Sequence, residues 1–144
     1  MILRLTKQFT FEMAHCLTGY DGPCQNLHGH SYRLEVTVEG EPERDKNSAK
    51  QGMVIDFREL KNIVNEVIVS KFDHSVVLSD AVAEEVRDAL QRHFDKVWIF
   101  AFQPTTENLL MEFSRCLMDA FPKGAKLYSI RLQETENSWA ELIL

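Results

Sequence analysis

Along residues 28–39 apolar and polar positions alternate without a break. His28, His30, Tyr32, Leu34, Val36 and Val38 share one parity; Ser31, Arg33, Glu35, Thr37 and Glu39 share the other. Successive strand residues point to opposite faces, so this stretch predicts a half-buried strand. Residues 1–15 repeat the pattern, with Phe9, Phe11, Met13 and His15 on one face. Between the two lies a segment of loop composition carrying Gly19, Asp21, Gly22, Pro23 and Asn26. A polar loop over 40–52 leads to a short predicted strand at 53–57. The period then changes. Asp56 and Glu59 have the spacing of a capping box, and Leu60, Ile63, Val64, Val67 and Ile68 form a helical stripe. That helix is expected to end near Lys71. A second helix is expected over 81–93 on Val82, Val86 and Leu90, then a strand over 97–102. Thr105 or Thr106 caps a third helix with the stripe Leu109, Leu110, Phe113, Leu117 and Ala120, which Pro122 and Gly124 stop. Tyr128, Ile130, Leu132 and Glu134 share a face of the next strand, and 138–144 form the last. Strands and helices come in clusters, so the expected class is α+β: a mainly antiparallel sheet, helices on one face, one domain over 1–144.

Composition narrows the function classes. The 144 residues are 44% hydrophobic and 26% charged, with a net charge of −6. No lysine-arginine stripe suits nucleic acid or an anionic membrane, although a local pocket for a phosphorylated small molecule needs only a few basic residues. The longest strongly apolar run, 97–102, is far too short to span a bilayer. The first seven residues alternate and offer no apolar signal region, so the expected compartment is the cytoplasm. An odd number of cysteines, three, argues against a disulfide framework there.

The parity of the histidines carries chemistry. His28 and His30, two apart on a strand, point the same way with Cα atoms about 7 Å apart, close enough to converge on one ion. His15 ends the preceding strand on its apolar parity, and antiparallel pairing would bring it beside them. Three imidazoles without a carboxylate or thiolate favour zinc, and three protein ligands leave an open position, the catalytic pattern. Each histidine alone would read as a satisfied polar residue at a strand end; the trio reads as a metal site. His93 closes a helix, where it suits the dipole.

Cys24 lies in the loop just before His28. Beside a cation it would be a base or nucleophile, or else a fourth ligand closing a structural site. Cys16 has the opposite parity to His15, and Cys116, near the Phe113–Leu117 stripe, is expected to be a buried, inert thiol. In Asp73-His74 a carboxylate could orient an imidazole, though an acid at a helix exit is common. Glu134 continues a core-facing parity, where a carboxylate is costly unless paired. It would grip a ligand bearing N–H donors or cap a strand end.

Taken in order, Phe11-Glu12-Met13-Ala14-His15, Cys24-Gln25-Asn26-Leu27-His28-Gly29-His30, Val54-Ile55-Asp56-Phe57, Phe72-Asp73-His74, Pro104-Thr105-Thr106-Glu107-Asn108 and Gln133-Glu134-Thr135 span nearly the whole chain. Together they resemble the 6-pyruvoyl-tetrahydropterin synthase family. The three-residue gap between Cys24 and His28 resembles its bacterial carboxy-forming branch. The resemblance implies zinc on His15, His28 and His30, Cys24 as the proton-abstracting base, and Asp73 and His74 as a proton relay. Glu134 would hold the pterin ring, with Thr105, Thr106 and Glu107 at its pocket. It implies a tunnelling fold: four antiparallel strands per subunit, three subunits closing a barrel, two barrels stacked into a homohexamer, and active sites at subunit boundaries. The implied reaction converts 7,8-dihydroneopterin triphosphate to 6-carboxy-5,6,7,8-tetrahydropterin, releasing acetaldehyde and triphosphate, on the route to 7-deazaguanine nucleosides such as queuosine. The rivals are the pyruvoyl-forming synthase, a non-catalytic zinc- or pterin-binding protein, and a structural zinc module. The chain departs from short bacterial members over 79–103, where it is longer.

Overall fold

The computed structural model describes residues 1–144. Two thirteen-residue strands, β1 (Leu3–His15) and β2 (His28–Gly40), pair antiparallel along their whole length, with Leu3 opposite Gly40 and His15 opposite His28. The loop between them contains one 3₁₀ turn, Pro23–Gln25. Helix α1 (Phe57–Val64) runs through a π-turn (Asn65–Val69) into a last α-turn, α2 (Ser70–Phe72). The rest follows as β3 (Ser75–Ser79), α3 (Glu84–His93), β4 (Val97–Phe100), α4 (Thr106–Leu117), β5 (Ala125–Thr135) and β6 (Ser138–Ile143).

The sheet has six strands in the order β4-β3-β1-β2-β5-β6. The four expected antiparallel strands are present as β1-β2-β5-β6, but the sheet is mixed. β3 runs parallel to the last three residues of β1, and β4 runs parallel to β3. The α3 crossover makes that parallel pairing possible, because parallel neighbours need a long connection. The segment over 79–103 therefore builds the far edge of the sheet.

The core lies on one face. Phe9, Phe11, Met13, Tyr32, Leu34, Val36 and Val38 from β1 and β2 meet Leu60, Val64, Ile68 and Phe72, and α4 adds Leu109, Leu110, Phe113 and Leu117. Aromatic rings knit these layers: Phe11 stacks on Tyr32 at 5.4 Å, and Phe113 meets Phe11 and Phe72 edge-on. The π-turn has a clear role here. A spacing of four outruns a 3.6-residue turn by about 40° each time. A wider turn takes the excess back and holds Leu60, Val64, Ile68 and Phe72 on one face.

Four expectations fail locally. Residues 53–57 form no strand; Asp56 is already the N-cap of α1, accepting from the Arg58 N–H at 2.7 Å. The capping box is half made, because Glu59 pairs with Lys50 at 2.5 Å. Helix α3 buries nothing, and Val86 of its stripe is 46% exposed. Cys116 is half-buried and contacts Glu112 at 3.6 Å, so it is not a core thiol. In addition, a register shift between Thr37 and Val38 inserts one extra residue into β5. Leu127 and Ile130 face the core, and Tyr128 turns to the other face under the Arg4 guanidinium. Beyond that bulge, Ile130, Leu132 and Glu134 share the expected parity.

Candidate active site

The β1–β2 register places His15 directly across from His28, with His30 one pleat further on. Their ring centroids lie 4.7–5.2 Å apart, and their nearest ligand atoms all fall within 4.8 Å of one another. Nitrogens at zinc-ligand distance, about 2.0–2.1 Å from a shared ion, lie roughly 3.4 Å apart, so small rotations complete the cage.

The outer nitrogens are already committed. His15 Nδ1 donates to the Pro104 carbonyl at 2.8 Å, and His28 Nδ1 donates to the Asn26 carbonyl at 2.7 Å. Such bonds fix the tautomer and leave the Nε2 lone pair free to bind a metal. The Nε2 atoms of His28 and His30 are buried and have no hydrogen-bond partner. A buried polar atom left so costs about 1–3 kcal/mol, which coordination would offset. Burial also pushes the pKa of His15 and of His30 below the ordinary histidine value, keeping both neutral, as ligation requires. The residues present therefore fit a metal ion.

Glu134 faces this trio. A second register shift, between Gln133 and Thr135, leaves Glu134 without a partner on β6. The Glu134 carboxylate keeps the core-facing parity of Ile130 and Leu132 and lies within 3.6 Å of His30 Nε2 and 4.0 Å of His15 Nε2. The Thr106 hydroxyl donates to it at 2.7 Å. Thr105 caps α4 by accepting from the Asn108 N–H at 3.2 Å. A cavity of about 310 Å³ is lined by His15, Cys24, Glu134, Thr105, Thr106 and Glu107 among others. Cys24 is half-buried in its wall.

Tyr32 was legible only as a core residue. It is fully buried beneath the trio, its hydroxyl 3.4 Å from both ring nitrogens of His15. Burial first, and then the Glu134 charge, raises its pKa strongly, so it stays a neutral phenol.

Asp73 and His74 are elsewhere. His74 lines a second cavity, of about 320 Å³, with Glu12, Ala14, Gly29 and Ser31, whose parity is opposite to the metal histidines, and with Met13, His30 and Ser75. His74 is the one non-glycine residue in the left-handed region, at φ 59°. Two bonds to β1 hold it there: His74 N–H to the Glu12 carbonyl at 2.7 Å, and Glu12 N–H to Asp73 Oδ1 at 2.9 Å. The other Asp73 oxygen lies 3.0 Å from His74 Nδ1. The imidazole is 77% exposed.

Over residues 4–143 the sequence matches the family described as 6-pyruvoyl tetrahydropterin synthase. The chain belongs to that family. It is 39% identical over 143 residues to a 6-carboxy-5,6,7,8-tetrahydropterin synthase of Haemophilus influenzae, covering 97% of this chain and 98% of the relative. A Rickettsia typhi protein of the same name is 30% identical over 146 residues, covering 98% of this chain and 100% of the relative. In fold the chain is similar to 6-pyruvoyl tetrahydropterin synthases of Caenorhabditis elegans and Plasmodium vivax. The TM-score is 0.71 for both, at 23% and 19% identity. The alignments cover 100% and 99% of this chain, and 96% and 97% of those chains. No helix is long and apolar enough to cross a membrane.

Within this family member one chain brings together the three histidines, Cys24, Glu134 and residues 105–107. Asp73 and His74 do not line the cavity that holds Cys24 and Glu134, and His74 meets the trio only where its own cavity borders His30. Tyr32 and the bulge at Glu134 were missed, because a strict period of two hides both a ring lying under a site and a one-residue slip in register.

Proposed function

We propose that the chain is a zinc-dependent lyase that converts 7,8-dihydroneopterin triphosphate to 6-carboxy-5,6,7,8-tetrahydropterin, releasing acetaldehyde and triphosphate. This would be a step toward 7-deazaguanine nucleosides such as queuosine. The observation that carries this reading is the set of three convergent histidines, with two orphaned Nε2 atoms, beside a cavity that His15 lines together with Cys24 and Glu134. The name shared by the relatives with 39% and 30% identity supports the product. Bound at His15, His28 and His30, zinc would supply a Lewis acid for substrate oxygens.

The remaining roles belong to this chain's side chains. Cys24 as thiolate takes a carbon-bound proton. Glu134 accepts charge-assisted hydrogen bonds from the pterin 2-amino and ring N–H groups, and the Thr106 hydroxyl holds it in place. Thr105, Thr106 and Glu107 close the pocket edge. Asp73 orients His74, which moves a second proton.

We assign that last role to Asp73 and His74 of another copy of the chain, since neither lines the cavity that holds Cys24 and Glu134. The strand edges offer a route to assembly. The outer edge of β1 is paired to β3 only at Met13, Ala14 and His15, and Glu12 is bonded to Asp73 and His74, which leaves Leu3 to Phe11 open; β6 is open along its whole outer edge. β6 runs antiparallel to β1, so β6 of one copy can add to β1 of the next and continue the antiparallel order around a ring. Closure removes the exposed edges. We take the ring as a trimer and two rings as a homohexamer, with each chain acting as a single domain.

Incubating zinc-loaded protein with dihydroneopterin triphosphate and weighing the products tests the reading. The carboxy product is expected. A pyruvoyl product would move the chain to the activity named for the solved structural neighbours. Zinc binding with no turnover would leave a binding protein.

A further inference from the structure

Residues 104–106 meet two parts of the metal-side cavity, His15 and Glu134. The Pro104 carbonyl orients His15, Thr105 caps α4, and Thr106 holds Glu134. Gln103 points the other way. Its Oε1 accepts from the Thr18 N–H at 3.1 Å, and its Nε2 donates to the Thr18 carbonyl. Its own carbonyl is fixed by Asn108 Nδ2 at 2.9 Å. The amide thus meets the Thr18 backbone as a strand partner would, at two points across 85 positions of sequence.

Thr18 belongs to the loop that carries Cys24. None of the side chains from Cys16 to Leu27 is fully buried, so apolar packing does little to hold this loop. Its other hydrogen bonds are local: Leu17 N–H to the Cys24 carbonyl at 2.9 Å, Tyr20 N–H to Leu17, Gln25 N–H to Gly22, Asn26 N–H and Nδ2 to Pro23, and His28 Nδ1 to the Asn26 carbonyl. The Leu17–Cys24 bond makes Cys24 the far end of a bridge whose near end is the residue before Thr18. We propose that Gln103 is a positioning residue for Cys24, holding the thiol at the cavity wall through Thr18 and the Leu17–Cys24 bond.

This inference rests on the reading of Cys24 as the base. A base displaced by about 1 Å can lose on the order of 10²-fold in rate while substrate contacts elsewhere survive. Glu134, Thr106 and the histidine trio do not depend on the Gln103 side chain. Removing it should therefore lower kcat and spare KM and metal content.

The test uses full-length zinc-loaded protein carrying Gln103→Met, which keeps the volume without the two hydrogen bonds, beside Gln103→Ala and Cys24→Ala. Zinc content, kcat and KM for dihydroneopterin triphosphate are measured. The rate of iodoacetamide alkylation at Cys24 is followed by peptide mass mapping, and exchange of the Thr18 amide hydrogen by mass spectrometry. The expected result is a kcat lower by about 10- to 100-fold with KM within about threefold and zinc unchanged. Cys24 alkylation and Thr18 exchange should both be faster. Normal kcat in both Gln103 variants while Cys24→Ala is inactive overturns the inference and leaves the lyase reading intact. Loss of zinc from Gln103→Met overturns it too, since the side chain would then act on the metal site. Near-normal activity in Cys24→Ala overturns the reading of the base, and the inference with it. Should Gln103→Ala not fold, the alkylation and exchange rates of Gln103→Met decide alone; unchanged rates overturn the inference.

Discussion

The two faces of the β1–β2 hairpin carry two kinds of site. On the core face, His15 is 2% exposed, the rings of the three histidines touch, and Glu134 and Tyr32 close around them. On the opposite face, His74 is 77% exposed and leans on one carboxylate. The same alternation of side chains makes both. Residues of one parity meet helices and form a finished pocket; their neighbours of the other parity form an open one. The metal half is complete within a chain, whereas in the proposed assembly the proton-relay half is shared.

If so, the largest effect belongs to the metal half. His28→Ala removes a ligand whose Nδ1 is already tied to Asn26, and chelation of the wild type removes the ion itself. Both should leave the zinc content near zero by elemental analysis and abolish turnover. Cys24→Ala should instead keep zinc and lose about 10²- to 10⁴-fold in kcat. Full zinc in His28→Ala would break the assignment.

Sharing of the second half predicts complementation. Cys24→Ala and His74→Ala proteins are each expected to be nearly inactive. Unfolded together at equal amounts and refolded, they should recover activity, because a quarter of sites, by random pairing, would combine an intact Cys24 with an intact His74 from another chain. Mixtures as inactive as the parents would place both residues in one chain's site and break the comparison.

The fold was legible wherever the period was strict. β1, β2 and the α4 stripe follow from alternation and from a 3.6-residue repeat, and the trio follows from parity together with antiparallel pairing of the two strands. What escaped was set by non-local geometry. The slips at Tyr128 and Glu134 depend on how neighbouring strands register, which one strand's pattern does not encode. Residues 53–57 have strand-like composition but find no partner edge. The α3 stripe shows the converse: the pattern is amphipathic, yet Val86 faces solvent in the single chain. The split between Cys24 and His74 follows from parity only once β3 is known to lie beside β1.

Tyr32 gives a smaller and sharper probe of the metal half. Tyr32→Phe keeps the stack on Phe11 and removes the hydroxyl near His15 and Glu134. Loss of one buried polar contact of this kind is worth about 0.5–1.5 kcal/mol. Zinc affinity measured by competition with a chelator should fall by roughly threefold to tenfold, with the fold intact by circular dichroism. An unchanged affinity would reduce Tyr32 to a packing residue.

The smallest effect separates the two faces by pH. The Glu12 N–H first, and then His74 and Lys96, hold the Asp73 carboxyl below its ordinary pKa. A carboxyl depressed in the folded state stabilises that state fully above its unfolded pKa, about 3.9, and loses the contribution as pH falls through the folded value. The wild type should therefore be more stable than Asp73→Ala at pH 7, with the gap closing below about pH 4. Asp73 is about one-third exposed, so solvent screening keeps the ionic part of that gap to at most about 1 kcal/mol. Urea unfolding of metal-free protein across pH measures it. Histidine protonation in the trio affects both proteins alike and cancels in the difference. Because the bond that holds Asp73 comes from the Glu12 main chain at the edge of β1 and not from the trio, the gap and its pH window should be the same with zinc bound. A gap that changes on zinc loading would mean that the two faces are coupled through β1 within one chain, and would replace the division drawn here with a single cooperative site.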